Sequence, residues 1–286
     1  MSKKSAERDS NTSHLVSQPR GMVMPIGGHE DKTDGAVILN RFIKMAGGKG
    51  ARIAIIAAAS TDAETGKRYE PIFREMGAER ADVVELPTRE AANSDEVIAQ
   101  ITEATGIFIS GGDQTRLVEI LAGTRLAECI RERNAHGVIV AGTSAGASII
   151  SAHMMDGGGN SDTPRKGMVN MIAGFGLAPD MIIDQHFSQR GRIGRLLALF
   201  AASPGLVGLG IDENTAAIIG PDGMLEVIGE NSVTIVDGRN VWSDYFDVED
   251  GDVLTITNSS LHILKAGRSF DLERRMMVDY SHTHSE

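Results

Sequence analysis

The stretch GVIVAGTSAGAS, residues 137–148, predicts both the fold class and a candidate active site. Its apolar, β-branched first half is typical of a buried strand, and the small residues after Ser144 are compatible with a helix. Gly142 and Gly146 flank Ser144 in a Gly-x-Ser-x-Gly pattern. This pattern suits a sharp turn, because a strained backbone leaves little room for neighbouring Cβ atoms. We therefore interpret the segment as a nucleophile elbow that presents Ser144 at the carboxyl end of its strand.

The amides around this turn predict where an oxyanion would bind. The first helical amide after Ser144, at Ala145, faces any negative charge that forms on an attacked carbonyl. A second donor is expected in the loop Gly111-Gly112-Asp113, which follows the apolar strand Gly106–Ser110, because glycines let backbone amides approach a ligand closely. The candidate is the amide of either Gly112 or Asp113.

A serine hydroxyl hardly ionises at neutral pH, so it needs a general base. His186 is the candidate, because it stands at the polar end of the apolar strand Met181–Phe187, and ligands of open α/β sheets collect at strand carboxyl ends. Asp184 would project from the same strand face and could orient the imidazole. Asp212 and Glu213 close a later strand, and only one of these neighbours can meet the histidine. The residues alone leave the acid open.

The alternation of apolar runs and amphipathic segments predicts an α/β fold over residues 21–278. Strands and helices alternate up to about residue 205, which indicates a three-layer sandwich with a mostly parallel sheet. Later short strands between Gly, Asp and Asn turns predict antiparallel hairpins near the C-terminus. The predicted elements include a helix over Thr61–Met76 and a strand over Asp252–Ile263. One domain is expected, between a disordered tail at 1–20 and a C-terminal tail at 279–286.

The composition limits the classes of partner. The 286 residues include 39 acidic and 28 basic side chains, a formal charge of −11, which disfavours binding to nucleic acids and to anionic membranes. No apolar stretch has the length of a signal peptide or a membrane span, so we expect a cytoplasmic protein. Cys129 is the single cysteine, which excludes an internal disulfide.

Neither the loop Gly111-Gly112-Asp113 nor the glycine turn Gly27-Gly28-His29 matches the phosphate loop or the dinucleotide fingerprint, so no nucleotide cofactor is expected. His282 and His284 are the residues that suggest a metal. Two histidines at a chain end fall short of the ligand number of a zinc site, and we predict no metal and no cofactor. The sequence leaves the oligomeric state open, a homodimer included.

Five separated motifs occur in order along the chain. They are Gly27-Gly28-x-Glu30-Asp31-Lys32, Gly111-Gly112-Asp113-Gln114, Gly142-Thr143-Ser144-Ala145-Gly146-Ala147, Asp184-Gln185-His186-Phe187-x-x-Arg190-x-Arg192-x-Gly194-Arg195-Leu196 and Gly210-Ile211-Asp212-Glu213-Asn214-Thr215-Ala216. In residues and in order, these motifs resemble those of the cyanophycinases of serine peptidase family S51. The resemblance runs from about Gly21 to the last strands.

The resemblance implies a fold similar to class I glutamine amidotransferases, with serine in place of their cysteine. It also implies a catalytic triad of Ser144, His186 and Glu213, so that Glu213 is the acid. The implied substrate is cyanophycin, a poly-aspartate whose β-carboxyls carry arginine. The implied reaction is hydrolysis of the main chain from an end, which releases β-aspartyl-arginine dipeptides.

The same resemblance favours substrate binding by polar residues beside the triad. Each substrate unit presents an arginine carboxylate and a guanidinium, so its site requires both cationic and acidic groups. Without the resemblance, a solvated helix start explains the arginines equally well. The predicted binding residues are Gln114, Asp184, Gln185, Arg190, Arg192 and Arg195.

Two other interpretations remain open. Another S51 peptidase, such as an aspartyl dipeptidase, would use the same elbow on a smaller substrate, although Gln185 and the arginines that follow it argue against this. An inactive amidotransferase-like binding module would keep Ser144 only as a turn residue. Labelling of Ser144 by a serine-directed phosphonate distinguishes an enzyme from such a module.

Overall fold

A computed structural model describes residues 21–278 of the chain, except Asp34, Thr61, Ala63 and Gly157. The two predicted tails, at 1–20 and 279–286, lie outside the described residues, as do His282 and His284.

The described residues form eight α-helices and three short 3-10 helices. Side chains of Ser94, Asp113 and Thr124 accept a hydrogen bond from the first turn of α4, α5 and α6 respectively, which satisfies amides that have no partner inside a helix. The α-helices are α1 Val37–Met45, α2 Glu64–Lys67, α3 Tyr69–Glu75, α4 Asp95–Glu103, α5 Gln114–Leu121, α6 Arg125–Ala135, α7 Ala145–Ser148 and α8 Ile193–Ala202, and the 3-10 helices are Gly48–Gly50, Ala91–Asn93 and Ser188–Arg190.

Seventeen strands in the described part of the chain form one large sheet and three smaller ones. They are β1 Val23–Ile26, β2 Arg52–Ile56, β3 Arg80–Val84, β4 Gly106–Ile109, β5 Ile139–Thr143, β6 His153–Asp156, β7 Asn170–Ala173, β8 Met181–Gln185, β9 Val207–Ile211, β10 Thr215–Ile219, β11 Met224–Gly229, β12 Ser232–Asp237, β13 Trp242–Ser243, β14 Ile256–Thr257, β15 Ser260–Lys265, β16 Ser269–Asp271 and β17 Met276–Val278.

The large sheet has the order β3-β2-β4-β5-β1-β10-β11-β16-β17. Its first five strands are parallel, and the last four run antiparallel to their neighbours. A second sheet, β8-β9-β12-β15, contains the parallel pair β8 and β9. The mostly parallel sheet and the C-terminal antiparallel strands agree with the predicted fold class.

Both faces of the large sheet are buried. On one face Ile55 of β2 packs in a cluster with Phe42 of α1 and Phe73 of α3. On the other face the next residue, Ile56, belongs to a cluster that includes Ile130 of α6 and strands β8 and β9 of the second sheet. Successive strand residues point to opposite faces, so burial on both sides explains the nearly unbroken apolar runs of these strands.

Two predicted elements are each divided in the structure. The segment expected as one helix over Thr61–Met76 contains α2 and α3. Pro71 lies in the first turn of α3, where a residue without a backbone N–H is tolerated. The same residue in the interior of one long helix would lack the hydrogen bond to the preceding turn, so the helix is divided before it. The strand expected over Asp252–Ile263 contains β14 and β15, with Asn258 in the left-handed conformation between them. The hairpin of β6 and β7 was not predicted.

Among the described residues, no helix combines the length and the apolarity that a membrane crossing requires.

Candidate active site

Turns from both sheets meet at the carboxyl end of β1. The backbone amide of His186, after β8, donates to the carbonyl of Gly27 at 2.8 Å. The amide of Asn214, after β9, donates to the carbonyl of Gly28 at 2.8 Å. Strand β5 lies beside β1 in the large sheet. These contacts bring together four turns that are far apart in the sequence, those after β1, β5, β8 and β9.

Ser144, His186 and Glu213 form a continuous hydrogen-bonded chain where these turns meet. The Oγ atom of Ser144 lies 3.0 Å from Nε2 of His186, and Nδ1 of His186 lies 2.6 Å from Oε1 of Glu213. A carboxylate at Nδ1 favours the tautomer with its proton on that nitrogen. The lone pair of Nε2 then faces the serine hydroxyl, in the geometry that proton removal from a serine requires.

Backbone strain is concentrated in these same turns. Ser144 has φ 52° and ψ −117°, and φ is also positive at His29, His186 and Asn214, between 48° and 49°. Gly28 has φ 99°, and a Cβ there would lie 2.3 Å from Cε1 of the His186 ring. A side chain at position 28 would therefore displace the imidazole. Clustered strain of this kind persists only where surrounding contacts hold it in place.

The environment of His186 favours the neutral imidazole. Burial lowers the pKa of His186, and the positive charge of Arg190 lowers it further. The hydrogen bond to Glu213 raises the pKa but does not offset burial, so the pKa lies below its ordinary value. A neutral imidazole at neutral pH is the form that can accept a proton.

The predicted oxyanion donors differ in their availability. Among the described residues, no acceptor is found for the backbone amides of Ala145 and Gly112. The amide of Asp113, in contrast, donates to the carbonyl of Ala59 at 2.8 Å, and its side chain caps α5. This corrects the prediction for Asp113, because an amide with an internal acceptor is not free for an oxyanion.

The buried carboxylate of Glu30, which contacts the residue before Ser144, was not predicted as part of the site. Glu30 is 3% exposed, and its Oε2 accepts from the hydroxyl of Thr143 at 2.5 Å. Its Oε1 accepts from the hydroxyl of Tyr69 at 2.6 Å and lies 2.9 Å from Nζ of Lys32. Burial raises the pKa of Glu30, but Lys32 and the two hydroxyls outweigh that effect and hold it below its ordinary value.

The sequence contained one signal for this carboxylate, since Glu30 follows a Gly-Gly turn at the end of an apolar strand. Its partners could not be predicted because Thr143 and Tyr69 lie 113 and 39 residues away.

Asp212 points away from the imidazole. Its Oδ1 accepts from the amide of Ser188 at 3.0 Å, and its Oδ2 accepts from the hydroxyl of Ser232 at 2.8 Å. With Asp212 in this role, Glu213 is the neighbour that meets His186. Asp184 does not contact the imidazole either.

Asp184, Arg192 and Arg195 form an internal ion cluster. Asp184 is fully buried, and the two arginines are 6% and 2% exposed. Arg195 donates from Nε to Oδ2 of Asp184 at 2.6 Å and from Nη2 to Oδ1 at 2.5 Å. Arg192 donates from Nη1 to Oδ1 of Asp184 at 2.9 Å and to the carbonyl of Gln185.

This cluster corrects the prediction that these three residues bind the substrate directly. The guanidinium groups bind Asp184 and are almost inaccessible to solvent, so they support the turn after β8 from inside the protein.

The other predicted binding residues have different environments. Gln114 donates from Nε2 to the carbonyl of Met155 at 3.3 Å. Gln185 is 3% exposed, and its side-chain oxygen has no partner among the described residues. Arg190 is exposed and lies close enough to His186 to influence its pKa.

A second histidine beside the triad was not predicted. Nδ1 of His29 lies 3.4 Å from Oε2 of Glu213, and its ring is edge-on to the ring of His186 at 5.3 Å between centroids. His29, His186 and Glu213 each offer one donor atom within 4.8 Å of the others. Among the described residues, these three form the group whose potential metal-ligand atoms lie close enough together to hold a metal ion.

Comparison with known proteins identifies the family. The model of peptidase family S51 matches residues 22–227. A cyanophycinase of Trichormus variabilis is 43% identical over 263 residues, which cover 91% of this chain and 88% of that protein. A cyanophycinase of Geminocystis herdmanii is 42% identical over 255 residues, 88% of this chain and 94% of that protein.

The fold also resembles a solved structure. A peptidase from an acI-B1 Actinobacterium superposes with a TM-score of 0.64 at 21% identity, covering 91% of this chain and 98% of that one. At that identity the likeness concerns the fold. The fold and the relatives together define a serine-type hydrolase. The chain belongs to peptidase family S51.

Proposed function

We propose that this protein hydrolyses cyanophycin to β-aspartyl-arginine dipeptides through an acyl-enzyme at Ser144. The observation that carries the proposal is the hydrogen-bonded chain from Ser144 through His186 to Glu213, in a protein 43% identical to a cyanophycinase. The turn at Ser144 serves as a nucleophile elbow, since its strained backbone exposes the hydroxyl to the imidazole.

In the acylation step, Oγ of Ser144 attacks an aspartyl carbonyl of the main chain while Nε2 of His186 takes the hydroxyl proton. The amides of Ala145 and Gly112 donate to the oxyanion of the tetrahedral intermediate. The intermediate collapses as the carbon–nitrogen bond breaks, and His186 gives its proton to the leaving amine. An ester to Ser144 remains.

Deacylation reverses the proton transfers. Water attacks the ester carbonyl while His186 accepts a proton from it, the bond to Oγ breaks, and the proton returns to Ser144. Glu213 keeps the imidazole in the correct tautomer and stabilises its protonated form in both steps.

Arg190 is the proposed ligand for the carboxylate of the β-linked arginine, because it is the exposed member of the three predicted arginines. Gln114 can add a hydrogen bond through its side-chain oxygen, whereas Gln185, at 3% exposure, is too buried to meet a substrate. Asp184, Arg192 and Arg195 act indirectly, since they position the turn that carries His186 and Arg190.

The decisive experiment compares the wild-type protein with Ser144→Ala. Removing the attacking oxygen should reduce release of dipeptide from insoluble cyanophycin by several orders of magnitude, as in other triad deletions. A fluorophosphonate should label the wild-type protein once, at Ser144. Ordinary α-peptides serve as the control substrate and should be cleaved far more slowly. Turnover near the wild-type rate by a folded Ser144→Ala variant would refute the mechanism.

A further inference from the structure

We infer that His29, His186 and Glu213 form a binding site for Zn²⁺ or a similar transition-metal ion, and that occupancy of this site reversibly switches the enzyme off. The inference goes beyond the proposed function. Only its inhibitory consequence rests on that function, because metal binding itself requires no catalysis.

The donor set suits zinc. Two imidazoles and one carboxylate are a ligand set that zinc uses with water in its fourth position. Zinc bonds of about 2.0–2.2 Å in a tetrahedron place ligand atoms roughly 3.4 Å apart. Nδ1 of His29 and Oε2 of Glu213 are separated by 3.4 Å, and donor atoms of all three residues lie within 4.8 Å of one another.

The backbone holds the three ligands together before any metal arrives. The carbonyl of Gly27 accepts from the amide of His186, and the carbonyl of Gly28 accepts from the amide of Asn214. The amide of Asp31 donates to Oδ1 of Asn214 at 2.9 Å. The loop that carries His29 is therefore fastened to both of the other turns. Little rearrangement is needed to close the ligands around an ion, which favours binding.

The site is also open to solvent on one side. The side chain of His29 is 73% exposed, whereas that of His186 is 4% exposed. An ion can meet His29 first and then the deeper ligands. Among the described residues, the exposed imidazole of His29 has one carboxylate neighbour within ion-pair distance, Glu213 at 3.4 Å.

Metal binding at His186 is incompatible with its role as a base. A metal on Nε2 replaces the hydrogen bond to Ser144, and a metal on Nδ1 displaces the proton shared with Glu213. Either arrangement leaves the serine hydroxyl without an acceptor for its proton. The expected effect is a loss of nucleophilicity that a chelator reverses.

The test substitutes the exposed ligand. His29→Asn removes the imidazole, and asparagine tolerates the positive φ at this position better than most residues. The matched control is His136→Asn, because His136 is exposed and lies before β5, at the opposite end of the strand from Ser144. Inhibition is measured as the ZnCl₂ concentration that halves the rate of fluorophosphonate labelling, which avoids any binding of zinc to cyanophycin.

We expect zinc to slow labelling of the wild-type protein and of His136→Asn equally, and EDTA to restore it. Half-inhibition of His29→Asn should require at least about tenfold more zinc than half-inhibition of the wild type. Loss of a residue that only supports a metal ligand already lowers metal affinity about 10–100-fold, and loss of a ligand itself should cost no less. Mg²⁺ should not inhibit, because it prefers oxygen ligands. Equal zinc sensitivity of His29→Asn and wild type, or no inhibition of the wild type by millimolar zinc, would overturn the inference.

A calorimetric titration separates this inference from the proposed function. Ser144→Ala should still bind zinc at this site, and the double variant Ser144→Ala/His29→Asn should lose that binding. Any zinc bound by His282 and His284 is common to both proteins and cancels in the comparison. Identical titrations of the two proteins would refute the metal site, even if the protein proves to hydrolyse cyanophycin. Zinc binding that is present in Ser144→Ala and lost in the double variant would support the metal site, even if the protein proves not to hydrolyse cyanophycin.

Discussion

The hydroxyl of Thr143 donates to the buried carboxylate of Glu30 at 2.5 Å, one residue before the strained Ser144. This contact ties the loop after β1 to the end of β5. Because Glu30 also accepts from Tyr69 and pairs with Lys32, it fixes the backbone that presents the nucleophile.

Glu30→Gln should therefore weaken both the fold and the site. The amide keeps the shape of the side chain but removes the charge that Lys32 neutralises, and a lost charged hydrogen bond costs about 1.5–3 kcal/mol. Urea denaturation should show that loss in the free energy of unfolding, together with slower phosphonate labelling of Ser144. The control is Glu64→Gln, at a carboxylate that is 63% exposed, which should change neither. Unchanged stability and labelling in Glu30→Gln would show that the contact is dispensable.

Substitution of the two adjacent acids should separate their roles. Glu213→Gln removes the acceptor at Nδ1 of His186 and should lower kcat on cyanophycin by a factor on the order of 10⁴, with a much smaller change in KM. Asp212→Asn should act on stability instead, because Asp212 accepts from Ser188 and Ser232. Steady-state kinetics and thermal melting of both variants provide the measurement. The reverse pattern, with turnover lost only in a folded Asp212→Asn, would make Asp212 the functional acid.

The pH profile of kcat/KM should reflect the lowered pKa of His186. Burial outweighs the opposing effect of Glu213, so the imidazole stays neutral below the ordinary histidine pKa of about 6.5. Activity should fall as the pH drops through a value lower than 6.5. In Glu213→Gln the acid limb of the residual activity should move to still lower pH, because Glu213 raises the pKa. A limb at or above 6.5 in the wild type would contradict this account of the site.

Buried Arg195 and exposed Arg190 should respond differently to replacement by lysine. Arg195→Lys loses a two-pronged bond to buried Asp184 and should reduce the free energy of unfolding by about 1.5–3 kcal/mol. Arg190→Lys alters an exposed side chain and should change stability by less than about 0.5 kcal/mol. Its kcat/KM on cyanophycin should nevertheless fall about tenfold, because lysine cannot hold a carboxylate with two parallel bonds.

Denaturation curves and cyanophycin kinetics for both lysine variants test this division. Fluorophosphonate labelling of Arg190→Lys is the internal control and should stay close to the wild-type rate. Normal processing of cyanophycin by Arg190→Lys would place the substrate carboxylate elsewhere.

The local sequence determined the elements that carry the chemistry. The run from Val138 to Ala147 specifies strand, turn and helix through a continuous apolar β-branched stretch followed by small residues, and these preferences act over a few residues. The polar ends of apolar strands marked His186 and Glu213 as candidates for the same reason. The family motifs then favoured Glu213 over Asp212.

Only the tertiary structure decided which polar groups are free and which are committed to the fold. The position of His29 beside Glu213 depends on how the second sheet packs against the end of the first. The partners of Glu30 depend on how β5 and α3 pack beside β1, and Arg192 and Arg195 reach Asp184 because the start of α8 folds back onto β8. An arginine in a sequence carries the same charge whether it is buried or exposed. Its role follows from desolvation and from the nearest opposite charge, and both are properties of the packed molecule.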